Sequence, residues 1–149
     1  MSKAFAGRAS QLQRGTGNVP TETFTKIAEL KKISLTGSKA DLADVTNMDS
    51  GNYREYLPTL VTAGEISFEG NYLPNDATQQ LLFTDFSTQA LHNWKIVLPP
   101  MGTYTVTQGT WEFAAYVTGC EYPELQVDKE ATMSGKLTIT GAPTYTTGN

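Results

Sequence analysis

The residues that could carry chemistry in this chain are few and scattered. One histidine, His92, and one cysteine, Cys120, stand 28 positions apart, whereas a metal site needs several His, Cys or carboxylate ligands at short spacing. Asn47-x-Asp49-x-Gly51 has part of the spacing of a calcium loop, but not its leading Asp or the closing bidentate Glu. Glu65 and Glu69 share one face of a strand-like segment, and paired carboxylates are what a glycosidase uses as acid and base. No aromatic platform stands beside them, so a solvated face is expected. No nucleophile elbow, P-loop or dinucleotide fingerprint occurs. His92 leads into a strand and is expected to be structural or exposed. The sequence predicts no enzyme, no metal and no cofactor.

Composition bounds what must hold these residues. A chain of 149 residues fits one domain that buries about 68–70% of its unfolded surface. Only 17% of residues are charged and 22 are threonine; threonine is stiff at χ1 and suits pleated surfaces, so a mainly β fold is predicted. The net charge of −4 argues against a basic grip on nucleic acid. It divides unevenly, with +5 over residues 1–39 and −9 over residues 40–149, a polarity that suits head-to-tail association of identical subunits. With a single cysteine no intrachain disulfide forms, and Cys120 in its strand reads as a small buried hydrophobe. No signal-peptide core or membrane-spanning run occurs, so no membrane insertion is expected and the chain should stay in the cytoplasm where it is made.

Along the chain, residues 1–20 lack periodicity and read as an N-terminal arm that Phe5, Leu12 and Val19 could pin to a neighbour. Thr23–Leu35 is strand-like without a clear buried face. Residues 36–63 read as a long loop, and Tyr53, Tyr56 and Leu57 argue against its being disordered. Such a loop is either a packed surface loop or, the favoured reading, an arm reaching another subunit. Gly64–Leu73 alternates cleanly, with Ile66, Phe68 and Tyr72 opposite Glu65, Ser67, Glu69 and Asn71. Asp76 and Gln79 form a capping-box pattern before a helix to about Ser87 presenting Leu81, Leu82, Phe83 and Phe86. Strands are predicted at His92–Leu98, Thr103–Thr107, Gly109–Gly119 and Lys129–Thr140. Glu121–Asp128 reads as an acidic connection and residues 142–149 as a flexible end.

The order REYLPTLVTAGEISFEGNYLPND, preceded by FTKIAELKKIS and followed by WEFAAYVTG and KLTITGAP, resembles the major tail tube proteins of long-tailed bacteriophages from about Phe24 to Pro143. The resemblance implies one tail tube domain over residues 1–149, a β-sandwich or barrel with one flanking helix, a long inter-strand loop and an extended N-terminal arm. It implies a structural subunit of the virion tail, assembled in the host cytoplasm. Six copies would form a ring, inner strands would join into one barrel, and rings would stack into a tube. The implied partners are further copies of itself, the tape-measure protein, tail-tip and terminator proteins, and double-stranded DNA that passes through the channel without specific binding. The polar strand faces offer Glu65, Ser67, Glu69, Glu112 and Lys136 as candidate channel-lining residues. Arm, loop and charge asymmetry offer Phe5, Arg8, Leu12, Arg14, Lys39, Tyr53, Arg54, Tyr56 and Leu57 as candidate inter-subunit contacts. Two other readings stay open: a monomeric β-sandwich module binding carbohydrate or protein with Trp94, Trp111 and tyrosines, and a tube-fold relative such as a tail terminator or type VI secretion tube subunit.

Overall fold

The computed structural model describes residues 4, 6–17, 22–100 and 109–148. Its elements in chain order are β1 (Gln11–Gly15), β2 (Phe24–Lys26), β3 (Leu30–Leu35), β4 (Lys39–Asp44), β5 (Tyr56–Thr62), β6 (Glu65–Asn71), α1 (Ala77–Thr88), β7 (His92–Val97), β8 (Gly109–Gln126) and β9 (Lys129–Thr147). Seven strands form an antiparallel sheet in the order β2-β1-β7-β8-β9-β6-β3, and β4 with β5 forms a separate two-stranded ribbon. The predicted strand at Thr103–Thr107 lies outside the described residues, as do Phe5 and Val19 of the arm.

The sequence stretch Thr23–Leu35, expected as one strand, is divided at Ile27–Glu29, with Glu29 in the left-handed region at φ 53°. Its halves β2 and β3 lie at opposite edges of the sheet. Seven strands laid flat would separate those edges by about 29 Å, yet four peptide steps reach at most about 14 Å. The sheet must therefore curl into a sandwich-like barrel. One wing contains β2, β1, β7, the first half of β8 and the last part of β9; the other contains the second half of β8, the first part of β9, β6 and β3. The divider is bonded to the strand next to each edge, Ile27 N–H donating to the Leu12 carbonyl of β1 and Asn71 N–H of β6 to the Glu29 carbonyl.

Between the wings lie Leu12, Ile66, Phe68, Trp94, Ile96, Phe113, Ala115, Val117, Met133 and Leu137. Ile66, Phe68, Phe113, Ala115, Val117, Met133 and Leu137 are apolar sides of the predicted alternations, whereas Leu12, Trp94 and Ile96 come from β1 and β7, and their burial removes apolar area from water at about 25 cal/mol per Å2. Gly135 sits opposite Phe68, and a Cβ there would come within 2.6 Å of the ring.

Helix α1 covers this core and begins as predicted. Asp76 accepts from the Thr78 and Gln79 N–H groups at 2.9 and 3.1 Å, and the Thr78 hydroxyl, the larger influence, helps hold the Asp76 carboxyl below its usual range. Gln79 does not complete a capping box. It is buried, accepts from Leu73 N–H and donates to the Ala28 and Asn71 carbonyls, pinning the helix to the chain crossing between the edges. The buried helical stripe is Gln79, Leu82 and Asp85, spaced three residues apart. Leu81 and Phe86, expected inside, are exposed, and Phe83 is half-buried.

Two further expectations are corrected by strand pairing. Glu121–Asp128 is mostly strand, because β8 and β9 run to a turn at Val127–Asp128. Residues 142–147 are not a flexible end: Thr144–Thr147 pair with Gly109–Glu112 beyond an irregularity near Gly141, which has φ 76°.

Candidate assembly surfaces

Two surfaces and one internal cluster gather the polar and exposed residues. The first is the polar side of the second wing. Register places Lys32, Glu69, Ser134 and Glu121 in one row across β3, β6, β9 and β8. The next row is Ser34, Ser67, Lys136 and Gly119, and Glu65 lies opposite Thr138. Ser134 donates to Glu121 at 2.8 Å. The rows floor a shallow groove of about 220 Å3. Four of the five candidate channel-lining residues, Glu65, Ser67, Glu69 and Lys136, thus share one face. Glu112 does not join them; it pairs with Lys95 of β7 on the other wing. Sequence reasoning missed Lys32, Ser34 and Glu121. The alternation in Lys32-Ile33-Ser34-Leu35 was a usable signal for the first two, while Glu121 was hidden by reading its segment as a connection.

The second surface is the β4–β5 ribbon. Residues 36–63 are an ordered hairpin, not an irregular loop, because β4 and β5 pair in register from Lys39↔Thr62 to Asp44↔Tyr56 with one irregularity. Its tip is closed by its own polar groups: Asp44 accepts from Thr46 N–H, Asn47 from Asp49 N–H, and Ser50 donates to Glu55. Thr46's hydrogen bonds hold the Asp44 carboxyl below its usual range. The calcium-like spacing is therefore a turn built on Asn47. Where the ribbon leaves the sheet, Gly64 has φ 99° and a Cβ would stand 2.3 Å from the Thr36 carbonyl, so only glycine fits. Along the ribbon Leu42, Tyr53 (83% exposed), Tyr56, Leu57, Leu60 (76%) and Val61 face solvent. A two-stranded ribbon with such side chains uncovered is marginal by itself. Tyr53, Arg54, Tyr56, Leu57 and Lys39 all lie on it and are exposed.

The third feature is internal. Arg14 of β1 forks onto Asp85 of α1, with Nε 2.5 Å and Nη2 2.8 Å from the two carboxylate oxygens. His92 Nε2 lies 3.0 Å from Arg14 Nη2 and 3.3 Å from Asp85. Asp85 is 2% exposed, so the cluster is a buried tie. Two candidate inter-subunit contacts are corrected here: Arg14 is held inside by a bidentate charge pair, and Leu12, at 0% exposure, belongs to the core. Arg8 is exposed beside Lys31 and Lys32 of β3.

The charge asymmetry of the sequence is partly neutralised within the chain. Arg14 meets Asp85 and Lys31 meets Glu130, so two of the basic residues in the first 39 are paired with acidic ones of the same chain. Trp94 is fully buried and unavailable to a ligand platform, while Trp111 is 37% exposed and packs on Tyr145 at 4.8 Å. Cys120 is half-buried, and burial pushes its thiol up to about 11. Among the described residues no three His, Cys, Asp or Glu side chains gather as metal ligands, and no helix is long and apolar enough to cross a membrane.

The fold has solved counterparts. The tail of an empty gene transfer agent particle, refined with C6 symmetry, is 19% identical and superposes with a TM-score of 0.72 over 96% of this chain and 99% of that one. The SPP1 tail tube is 14% identical, with a TM-score of 0.71 over 98% of this chain and 80% of its own. A chain of the anti-feeding prophage baseplate is 11% identical, with a TM-score of 0.73 over 99% and 98%. No curated protein sequence matches the chain. The family model described as lambda phage tail tube protein matches residues 11–146; the chain belongs to that tail tube family.

Proposed function

We propose that this tail tube protein assembles into stacked rings of six whose central channel conducts the genome to the host. The observation that carries the reading is the second wing: four antiparallel strands, polar on one face, apolar on the other, with a strand edge on each side that no described residue pairs. Open edges require pairing or cover. Closing six such wings, the symmetry of the gene transfer agent tail, gives a barrel of about 24 strands, wider than the barrels of about 16–18 strands that already hold an aqueous channel. Its wet lining would comprise Glu65, Ser67, Glu69 and Lys136, while Glu112 would lie away from it. The mixed lining offers DNA no basic track, and each unpaired cation avoided removes a counterion-release gain.

The ribbon supplies the ring-to-ring contact in this reading. Apolar side chains on both its faces need two covering surfaces, which adjacent subunits of the next ring would provide through Tyr53, Arg54, Tyr56 and Leu57. Only the residues ahead of β1, Phe5 and Arg8 among them, are assigned the same kind of role, because residues 11–15 belong to the sheet. Tape-measure, tip and terminator proteins would be the other partners, with assembly in the host cytoplasm and residence in the virion tail. Negative-stain microscopy of the concentrated protein tests the assembly: hollow tubes or six-membered rings are expected, and a strict monomer at every concentration overturns the reading. Passage is tested in tails carrying Glu65→Lys with Glu69→Lys, where tails of normal length and slowed ejection are expected; unchanged ejection would remove these residues from the channel.

A further inference from the structure

We propose that the lateral seam between ring neighbours is charge-coded, with the basic β3 edge of one copy pairing with the acidic β8 edge of the next, so that subunits join head to tail and not edge to identical edge. The inference rests on the ring reading above and names the contact that closes it. Among the described residues, β3 bonds only to β6, and β7 accompanies β8 only from Thr110 to Ala115, which leaves the later part of β8 open on that side. The two open edges differ in sign. β3 carries Lys31 and Lys32 with Arg8 beside them, and the open part of β8 carries Glu121 and Glu124.

Strand direction supports the same join. β8, β9, β6 and β3 alternate in direction, so rotating a copy about the ring axis brings its β8 antiparallel to its neighbour's β3. Lys32 and Glu121 end the same row of the wing, so at a seam of small stagger they become cross-strand neighbours, about 4.5–5.5 Å apart at Cβ. Lys31 has an exposed partner, Glu130, in its own chain, whereas no ion pair of Lys32 is found among the described residues. The competing isologous joins, β3 on β3 or β8 on β8, would set Lys against Lys or Glu against Glu. Such joins relate copies by two-fold axes and not by the single head-to-tail rotation of a six-membered ring, and like charges disfavour them.

The test is a charge swap. Lys32→Glu and Glu121→Lys should each raise the protein concentration needed for rings or tubes by roughly tenfold at low ionic strength, less in high salt. Circular dichroism and monomer sedimentation check that each variant is folded. The double variant Lys32→Glu/Glu121→Lys should recover assembly, and an equimolar mixture of the two single variants should also assemble, because alternating copies make every seam complementary. As an independent readout, a zero-length carbodiimide should join Lys32 to Glu121 between isotopically labelled and unlabelled wild-type copies. If wild-type protein forms tubes while the double variant and the mixture stay as poor as the singles and no such cross-link forms, the seam assignment is overturned and the tube reading stands. If wild-type protein forms no rings or tubes, the tube reading fails and the seam with it.

Discussion

Removing Asp85 should damage this protein more than any surface change, and the structure gives the size of the effect. Asp85 is 2% exposed and accepts two hydrogen bonds from Arg14, whose side chain is itself only 11% exposed. Asp85→Ala would leave a guanidinium with little water and no counter-charge, joined only by His92 at 3.0 Å. Breaking a buried pair from one side costs about 3–5 kcal/mol, and for a chain of this size each kcal/mol moves the melting temperature by about 2–4 °C. A fall of about 6–20 °C is therefore expected, read by circular dichroism on dilute monomer so that assembly does not contribute. Arg14→Ala should cost a similar amount, and the double alanine variant should cost clearly less than the sum, since the two residues act as one unit. Replacing both by apolar residues, Arg14→Met with Asp85→Leu, should recover most of the stability. An Asp85→Ala variant within about 1 kcal/mol of wild type would refute the buried tie and return Arg14 to the surface.

Gly135→Ala forces a methyl to within 2.6 Å of the Phe68 ring and should cost about 1–3 kcal/mol as overpacking, with Gly135→Ala/Phe68→Leu partly restored; urea titration reads both. Asp76→Ala removes the acceptor at the start of α1 and should cost about 1 kcal/mol. Because the folded Asp76 carboxyl is held below 3.8, its stabilisation is complete above that pH and is lost as pH falls through the lower folded value, so the wild-type advantage over Asp76→Ala should shrink on acidification. Limited proteolysis should cut the ribbon and the arm in free subunits and spare them in tubes; equal protection in both states would contradict their role in assembly.

The strand faces were legible because alternation is local. Ile66, Phe68, Phe113, Val117, Met133 and Leu137 lie inside as their patterns required, and Asp76 caps its helix. The ribbon was not legible, because both its faces carry apolar residues and the polar–apolar alternation that marks a one-sided strand is lost. Leu12 and Arg14 were misread as contacts because the short β1 gives little periodicity, and the partner of Arg14 is 71 residues away. The row Lys32–Glu69–Ser134–Glu121 depends on register among four strands. No spacing along one chain encodes that, although each residue's own face could be read.

In the proposed tube the polar face of the second wing lines the channel. A density map of assembled tubes at side-chain detail tests it most directly. Six subunits per ring, a continuous inner barrel, and Glu65, Ser67, Glu69 and Lys136 facing the lumen are expected. Tubes with those four residues on the outer surface, or with an inner wall built from the β1–β7 wing, would contradict it.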